Sequence, residues 1–188
     1  APQSPAFLPL PNPLNRAPPD RFTIPSPKTP GADDTTMDAL YFEDFTPGRR
    51  FKTRGMTLTE AQIMDFAWQW DPQPFHVDAE AAAASPFGGI IGSGFQTLLV
   101  AFRLWFQENI MNEASMGSPG LDEVRWLKPV RPGDTLHVEA EVMESRASDS
   151  KPDRGYSKIK YAVVNQQGET VMTFLANHIF ARHPAGDD

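Results

Sequence analysis

Before about residue 112 the apolar side chains recur at three- and four-residue intervals, and after about residue 134 they recur at two. That switch of period separates helices from strands within one chain. Ile63, Phe66, Ala67 and Trp70 stand at i, i+3, i+4 and i+7, one face of a helix. Thr59 precedes it with Gln62 three residues later, the pattern of a capping box. Phe95 to Met111 is the longest helical stretch, and its apolar residues occupy more than one face, which predicts a helix buried on most sides. Beyond it, Leu136, Val138, Ala140 and Val142 alternate with His137, Glu139 and Glu141, as in a half-buried strand. Tyr156 to Val164 forms another strand, Asn165 to Gly168 carries turn chemistry, and Thr170 to Ala181 returns. Residues 48–57, opening with Gly48 to Thr53, add a strand near the start, and Asp78 caps a short helix from Ala79 to Ala84. Helices first and antiparallel strands afterwards predict an α+β fold with a sheet wrapped around one long central helix, not a doubly wound parallel sheet.

Residues 1–36 stand apart. Ten of them are proline, which removes backbone donors and blocks helices and inner strands. They read as an extended appendage, with Leu8, Leu10, Phe22 and Ile24 as anchors should it dock on a partner subunit. Residues 37–188 form the globular domain. The net charge of −7 argues against general nucleic-acid or membrane-surface binding. No apolar run approaches a membrane span, the N-terminus lacks the pattern of a secretory leader, and the cytoplasm is the expected location. With no cysteine, disulfides and thiol nucleophiles are excluded.

Chemistry concentrates in Asp71-Pro72-Gln73-Pro74-Phe75-His76, a short connection between two helical segments. Its prolines stiffen the backbone, and the bend turns a carboxylate and an imidazole toward one point. Imidazole exchanges protons near neutrality, so such a pair can hold and polarise one water. Gly88-Gly89-Ile90-Ile91-Gly92-Ser93-Gly94 then runs into the long helix, where unpaired N–H groups can stabilise an oxygen that gains negative charge. Acid–base pair and oxyanion donor together suit hydration of an α,β-unsaturated thioester.

Asp71 to His76 resembles the D-x-N-P-[LI]-H signature of the MaoC-like, (R)-specific enoyl-CoA hydratases. Phe42 to Gly48, Ser85 to Gly89, Ser93 to Phe95 and Arg125 to Asp134 resemble further stretches of that family, so the likeness covers roughly residues 38–183. The resemblance implies a hot-dog fold, a homodimer or higher homo-oligomer, an acyl-CoA substrate with coenzyme A only as part of it, and no metal or other cofactor. It makes Asp71 and His76 the catalytic pair and gives the thioester oxygen the backbone N–H of Gly94. Ser93, Arg125 and Lys128 are further substrate-binding positions, the two cations toward phosphate. Three positions depart from the pattern. Gln73 replaces the usual asparagine, Ser93 stands where many members have histidine, and Phe102 aligns with a serine that some members hold near the carboxylate. The last change removes a partner for Asp71.

Two other functions fit the same fold. A hot-dog thioesterase would place an acid on the central helix, but the long helix carries only Glu108, far from its start. A non-catalytic acyl-binding subunit would have no use for both Asp71 and His76. His137, His178 and His183 read as structural or exposed, and the aromatic set Trp68, Trp70, Phe95, Phe102, Trp105 and Phe106 as core.

Overall fold

The computed structural model describes residues 39–184. The expectation for the proline-rich segment 1–36 lies outside that range. Five strands form one antiparallel sheet in the order β1 (Arg50–Lys52), β4 (Thr135–Ala147), β5 (Arg154–Val164), β6 (Thr170–Ala181), β3 (Gly120–Trp126), and β2 (Met56–Thr57) pairs with β4 beyond β1. Among the described residues four α-helices precede β3: α1 (Glu60–Trp70), α2 (Pro74–Val77), α3 (Ala79–Ala84) and α4 (Gly94–Gln107). This is the α+β hot-dog arrangement, with α4 lying against the inner face of the sheet.

The period-2 segments bury alternate residues as their sequences require. Leu136, Val138, Ala140 and Val142 of β4 face inward with Ile159, Tyr161 and Val163 of β5 and Phe174, Ala176 and Phe180 of β6. Against them α4 sets Val100, Ala101, Leu104 and Trp105. Each large aliphatic or aromatic side chain so buried contributes about 1.5–3 kcal/mol. The β5–β6 turn closes on Asn165, whose side-chain oxygen accepts from the N–H groups of Gln167 and Glu169, both at 3.0 Å, while Gly168 takes φ +77°.

The strand expected over residues 48–57 forms as two pieces, β1 and β2, both paired with β4, because at Thr53 a side chain takes over part of the ladder. The Thr53 N–H donates to Val138 O at 2.9 Å, and its Oγ1 accepts from the Val138 N–H at 2.9 Å. On α1 the capping box forms, but only Ile63 and Ala67 are buried, and Trp70 is 73% exposed where the helix runs out toward the Pro72 connection. The long helix starts as expected and ends earlier, with Asn109 in the left-handed region at φ 55°. It is not buried on most sides: Phe95, Leu99 and Phe106 are 60%, 55% and 42% exposed along one flank. A sheet on one face covers Val100, Leu104 and Trp105, while on the opposite flank Trp126 meets Phe95 edge-on and Leu99 and Phe106 stay exposed.

Candidate active site

Asp71 and His76 are positioned by adjoining helix ends. Asp71 caps the C-terminus of α1, its N–H donating to Ala67 O at 2.9 Å. Pro74 opens α2 at the first helical position, where its missing N–H costs nothing, and the single turn that follows carries His76 inward. Asp78 then closes that turn and caps α3, its Oδ1 accepting from Glu80 and Ala81. The bend brings Asp71 Oδ2 to 3.3 Å from His76 Nε2, with the two side chains 14% and 4% exposed.

The segment before α4 completes the arrangement. Ile91 N–H donates to Phe75 O at 3.2 Å and Gly92 N–H to Val130 O at 2.7 Å, which straps this segment between α2 and the stretch before β4. Ile91 O faces His76 Nδ1 at 2.7 Å. A carbonyl only accepts, so Nδ1 carries the hydrogen, and in the neutral ring Nε2 presents a lone pair. Ser93 Oγ donates to Asp71 Oδ2 at 2.7 Å, and Gln73 Nε2 donates to Asp71 Oδ1 at 2.8 Å. Burial alone pushes the Asp71 carboxyl up. The bonds from Ser93 and Gln73, with His76 beside them, outweigh it and hold the group below the ordinary carboxylate value. Asp71 is therefore ionised at neutral pH, and its Oδ2 faces His76 Nε2.

The pair lies on the wall of a cleft of about 440 Å³ whose other walls are mostly apolar, among them Phe87, Phe95, Thr97, Trp126 and Leu127. Gly94, at the first position of α4, also lines it, so its N–H has no partner within the helix. Glycine is required there by the indole opposite: a Cβ at residue 94 would lie 2.5 Å from Trp126 Nε1. Trp126 reaches that place just after a register shift in β3 between Asp122 and Arg125, with Glu123 at φ 51°. Bulges of this kind re-aim side chains beside functional sites.

Of the positions expected from sequence, Asp71, His76, Gly94 and Lys128 meet at the cleft. Ser93 does not line it. Its side chain is fully buried behind the carboxylate, so it binds Asp71 instead of substrate. Arg125 lies outside the lining residues and donates to the neighbouring Val124 O, because the β3 irregularity turns Trp126 inward in its place. Lys128 is ion-paired with Glu169 at 2.5 Å. The loss of a partner inferred from Phe102 is also corrected. Phe102 stacks on Phe174, and Ser93 supplies the hydroxyl from a different position. Gln73, in place of the usual asparagine, still offers an amide N–H to Asp71. Trp126 and Thr97 were not singled out as site residues, and nothing local in the sequence distinguishes them from core. Among the described residues no cluster of three or more His, Asp or Glu side chains could hold a metal, and no helix is long and apolar enough to cross a membrane.

The architecture and the chain's relatives agree. The crystal structure of a MaoC-like dehydratase from Rhodospirillum rubrum superimposes with a TM-score of 0.73 at 37% identity, covering 78% of this chain and 99% of that one. An uncharacterised Bacillus subtilis protein, YdeM, is 38% identical over 107 residues, 57% of this chain and 76% of that protein. The 3-hydroxyacyl-thioester dehydratase Z of Mycobacterium tuberculosis is 34% identical over 90 residues, 47% of this chain and 60% of the enzyme. The family model described as MaoC like domain matches residues 43–163, across the Asp71–His76 connection, α4 and the first two long strands of the sheet. By fold and by sequence alike, this chain belongs to the MaoC-like hydratase/dehydratase family.

Proposed function

We propose that this chain is a hydro-lyase that reversibly adds water to an α,β-unsaturated acyl thioester, giving the (R)-3-hydroxyacyl product. The observation that carries this is the facing of Asp71 Oδ2 and His76 Nε2, 3.3 Å apart on the wall of an apolar cleft, with His76 Nδ1 committed to Ile91 O. When Nε2 carries no hydrogen, the two atoms are both acceptors and call for a shared donor. One water, giving a hydrogen to each, satisfies both and leaves its oxygen lone pair aimed into the cleft.

From that arrangement the chemistry balances. As the water oxygen bonds to Cβ, Nε2 takes a proton, and the displaced electron pair moves onto the thioester oxygen. The N–H of Gly94 stabilises the resulting enolate oxygen. Asp71, held ionised by Ser93 and Gln73, stabilises the imidazolium beside it. Nε2–H then delivers the proton to Cα on the same face, which is syn addition with His76 restored. Dehydration is the same path reversed. Positioned proton transfer of this kind contributes about 10²–10⁴-fold.

A thioesterase finds less support. Glu108, the acid at the far end of α4, accepts from Arg54 N–H and Nε at 2.7 and 3.0 Å and does not reach the cleft. The relationship to a 3-hydroxyacyl-thioester dehydratase favours an acyl-CoA or carrier-protein thioester as substrate. The exposed α4 flank, Phe95, Leu99 and Phe106, supports a homodimer, as does β3, whose described strand partner is β6 on one side.

The decisive assay is hydration of crotonyl-CoA, read as loss of enoyl-thioester absorbance, with chiral analysis of the product. Turnover to the (R)-3-hydroxy thioester is expected. Release of free thiol from a saturated acyl-CoA without any hydration would replace the hydratase reading with a thioesterase.

A further inference from the structure

Ser93 occupies a position from which it cannot touch substrate, yet it touches the group that does. It is fully buried at the N-cap of α4, and its Oγ stands between two partners. The N–H of Phe95 points at it from 3.2 Å, and Asp71 Oδ2 lies 2.7 Å away. An N–H can only donate, so the hydroxyl accepts there, and its single hydrogen is committed to Asp71. The oxygen that receives it, Oδ2, is the one that faces His76 Nε2 at 3.3 Å. Ser93 O meanwhile accepts from Thr97 N–H at 3.0 Å and from Thr97 Oγ1 at 3.2 Å, so the whole residue is fixed by the first turn of α4.

We infer that Ser93 is the positioning residue of this site: its hydroxyl ties Asp71 Oδ2 to the start of α4, so that the carboxylate facing His76 and the Gly94 N–H are held in one rigid frame. The inference rests on the reading of Asp71 and His76 as the acid–base pair. The Asp71 rotamer is set from both ends, by Ser93 at Oδ2 and by Gln73 at Oδ1. Ser93 is the stiffer of the two, since Gln73 is exposed and Ser93 is not. The titratable group facing Asp71 is His76 of α2, while the start of α4 and the 71–74 connection bring only the neutral donors Ser93 and Gln73. Lys128 lines the same cleft, but its charge is engaged by Glu169. Removing the Ser93 hydroxyl takes away a bond that favours the charged carboxyl, so Asp71 should titrate at higher pH.

The test uses Ser93→Ala and Ser93→Thr in the full chain, the second keeping both hydroxyl and cap. In Ser93→Ala, kcat for enoyl-CoA hydration should fall about 10- to 100-fold with KM within about threefold, as expected for a misplaced reacting group. The acid limb of its pH–rate profile should move upward. Ser93→Thr should restore most of both. Independently of turnover, the Asp71 side-chain carboxyl is followed by ¹³C NMR titration, assigned with Asp71→Asn, and its midpoint should rise in Ser93→Ala. Loss of the helix cap alone would lower the melting temperature without moving that midpoint. An unmoved midpoint in a folded Ser93→Ala protein therefore overturns the inference, even where activity falls. A raised midpoint in a protein that hydrates no enoyl thioester supports the positioning role and counts against the hydratase reading alone.

Discussion

Two histidines in this molecule are buried to the same degree, each 3% exposed, and they meet opposite surroundings. His178 sits on the inner face of β6, stacked on Phe180 with centroids 5.3 Å apart. Its Nε2 meets the Tyr161 hydroxyl at 2.9 Å. That partner is neutral and can donate or accept, so the pair is satisfied without any ion, and burial pushes the histidine down to about 4. His76 instead has Nδ1 committed to a backbone carbonyl and turns Nε2 toward a carboxylate held ionised, on the wall of an open cleft. Burial does not distinguish them. What the second ring nitrogen faces does: a neutral hydroxyl suits a core histidine, and an anion beside a cavity suits the proton carrier proposed for His76.

The contrast breaks most sharply at the residues themselves. His76→Ala or Asp71→Asn should lower kcat for crotonyl-CoA hydration by about 10²–10⁴-fold, whereas His178→Ala should leave kcat per folded molecule within about twofold. Equal losses in all three variants would erase the distinction.

The second difference is in stability against pH. An unfolded histidine titrates near 6.5, while folded His178 titrates at about 4, so between those values the unfolded chain binds the extra proton. Stability is therefore full above about 6.5 and falls as pH drops toward 4, by roughly 3 kcal/mol from this residue. Asp71 acts in a lower window. Its folded value is depressed, so its contribution is present above the unfolded carboxyl value and is lost as pH falls through the folded one. Urea unfolding at a series of pH values checks this, and His178→Phe should flatten the slope between 6.5 and 4. A slope that survives that substitution would assign the acid sensitivity elsewhere.

Smaller effects sharpen the cleft side of the comparison. Gly94→Ala must displace the Trp126 indole, and kcat should fall about tenfold with little change in the melting temperature. Lys128→Ala should raise KM for a coenzyme A thioester by about two- to fivefold, since its charge is already shared with Glu169, and Arg125→Ala should change nothing measurable. Steady-state kinetics on the two variants separates these outcomes, and a larger effect from Arg125→Ala would place it back at the substrate.

How far each feature was legible follows from the range of the interaction that makes it. The capping box at Thr59 and Gln62, the Asp78 cap and the Asn165 turn are contacts over two to four residues, and they form as their residues predict. The approach of Asp71 and His76 was legible because a stiff five-residue bend does most of the work. The partner that holds Asp71 was not, because Ser93 is 22 residues away and reaches it only when α2, Val130 and the segment before α4 pack together. Side-chain direction was lost in the same way. Periodicity put Trp70 on the buried face of α1 and made α4 apolar on more than one face, but which apolar residues are covered depends on where the sheet ends.

By itself, then, the chain's pattern of residues determined the elements, their order, and the pairing of a carboxylate with an imidazole, since periodicity, caps and proline act over a few bonds. The tertiary structure decided the rest. It turned Trp126 inward and Arg125 outward through a bulge in β3, brought Ile91 O to His76 Nδ1 and so chose the tautomer, and made Ser93 a ligand of Asp71 instead of a substrate contact. Each of these depends on atoms brought together by packing across the fold, and a buried donor or acceptor takes whichever partner that packing puts within reach.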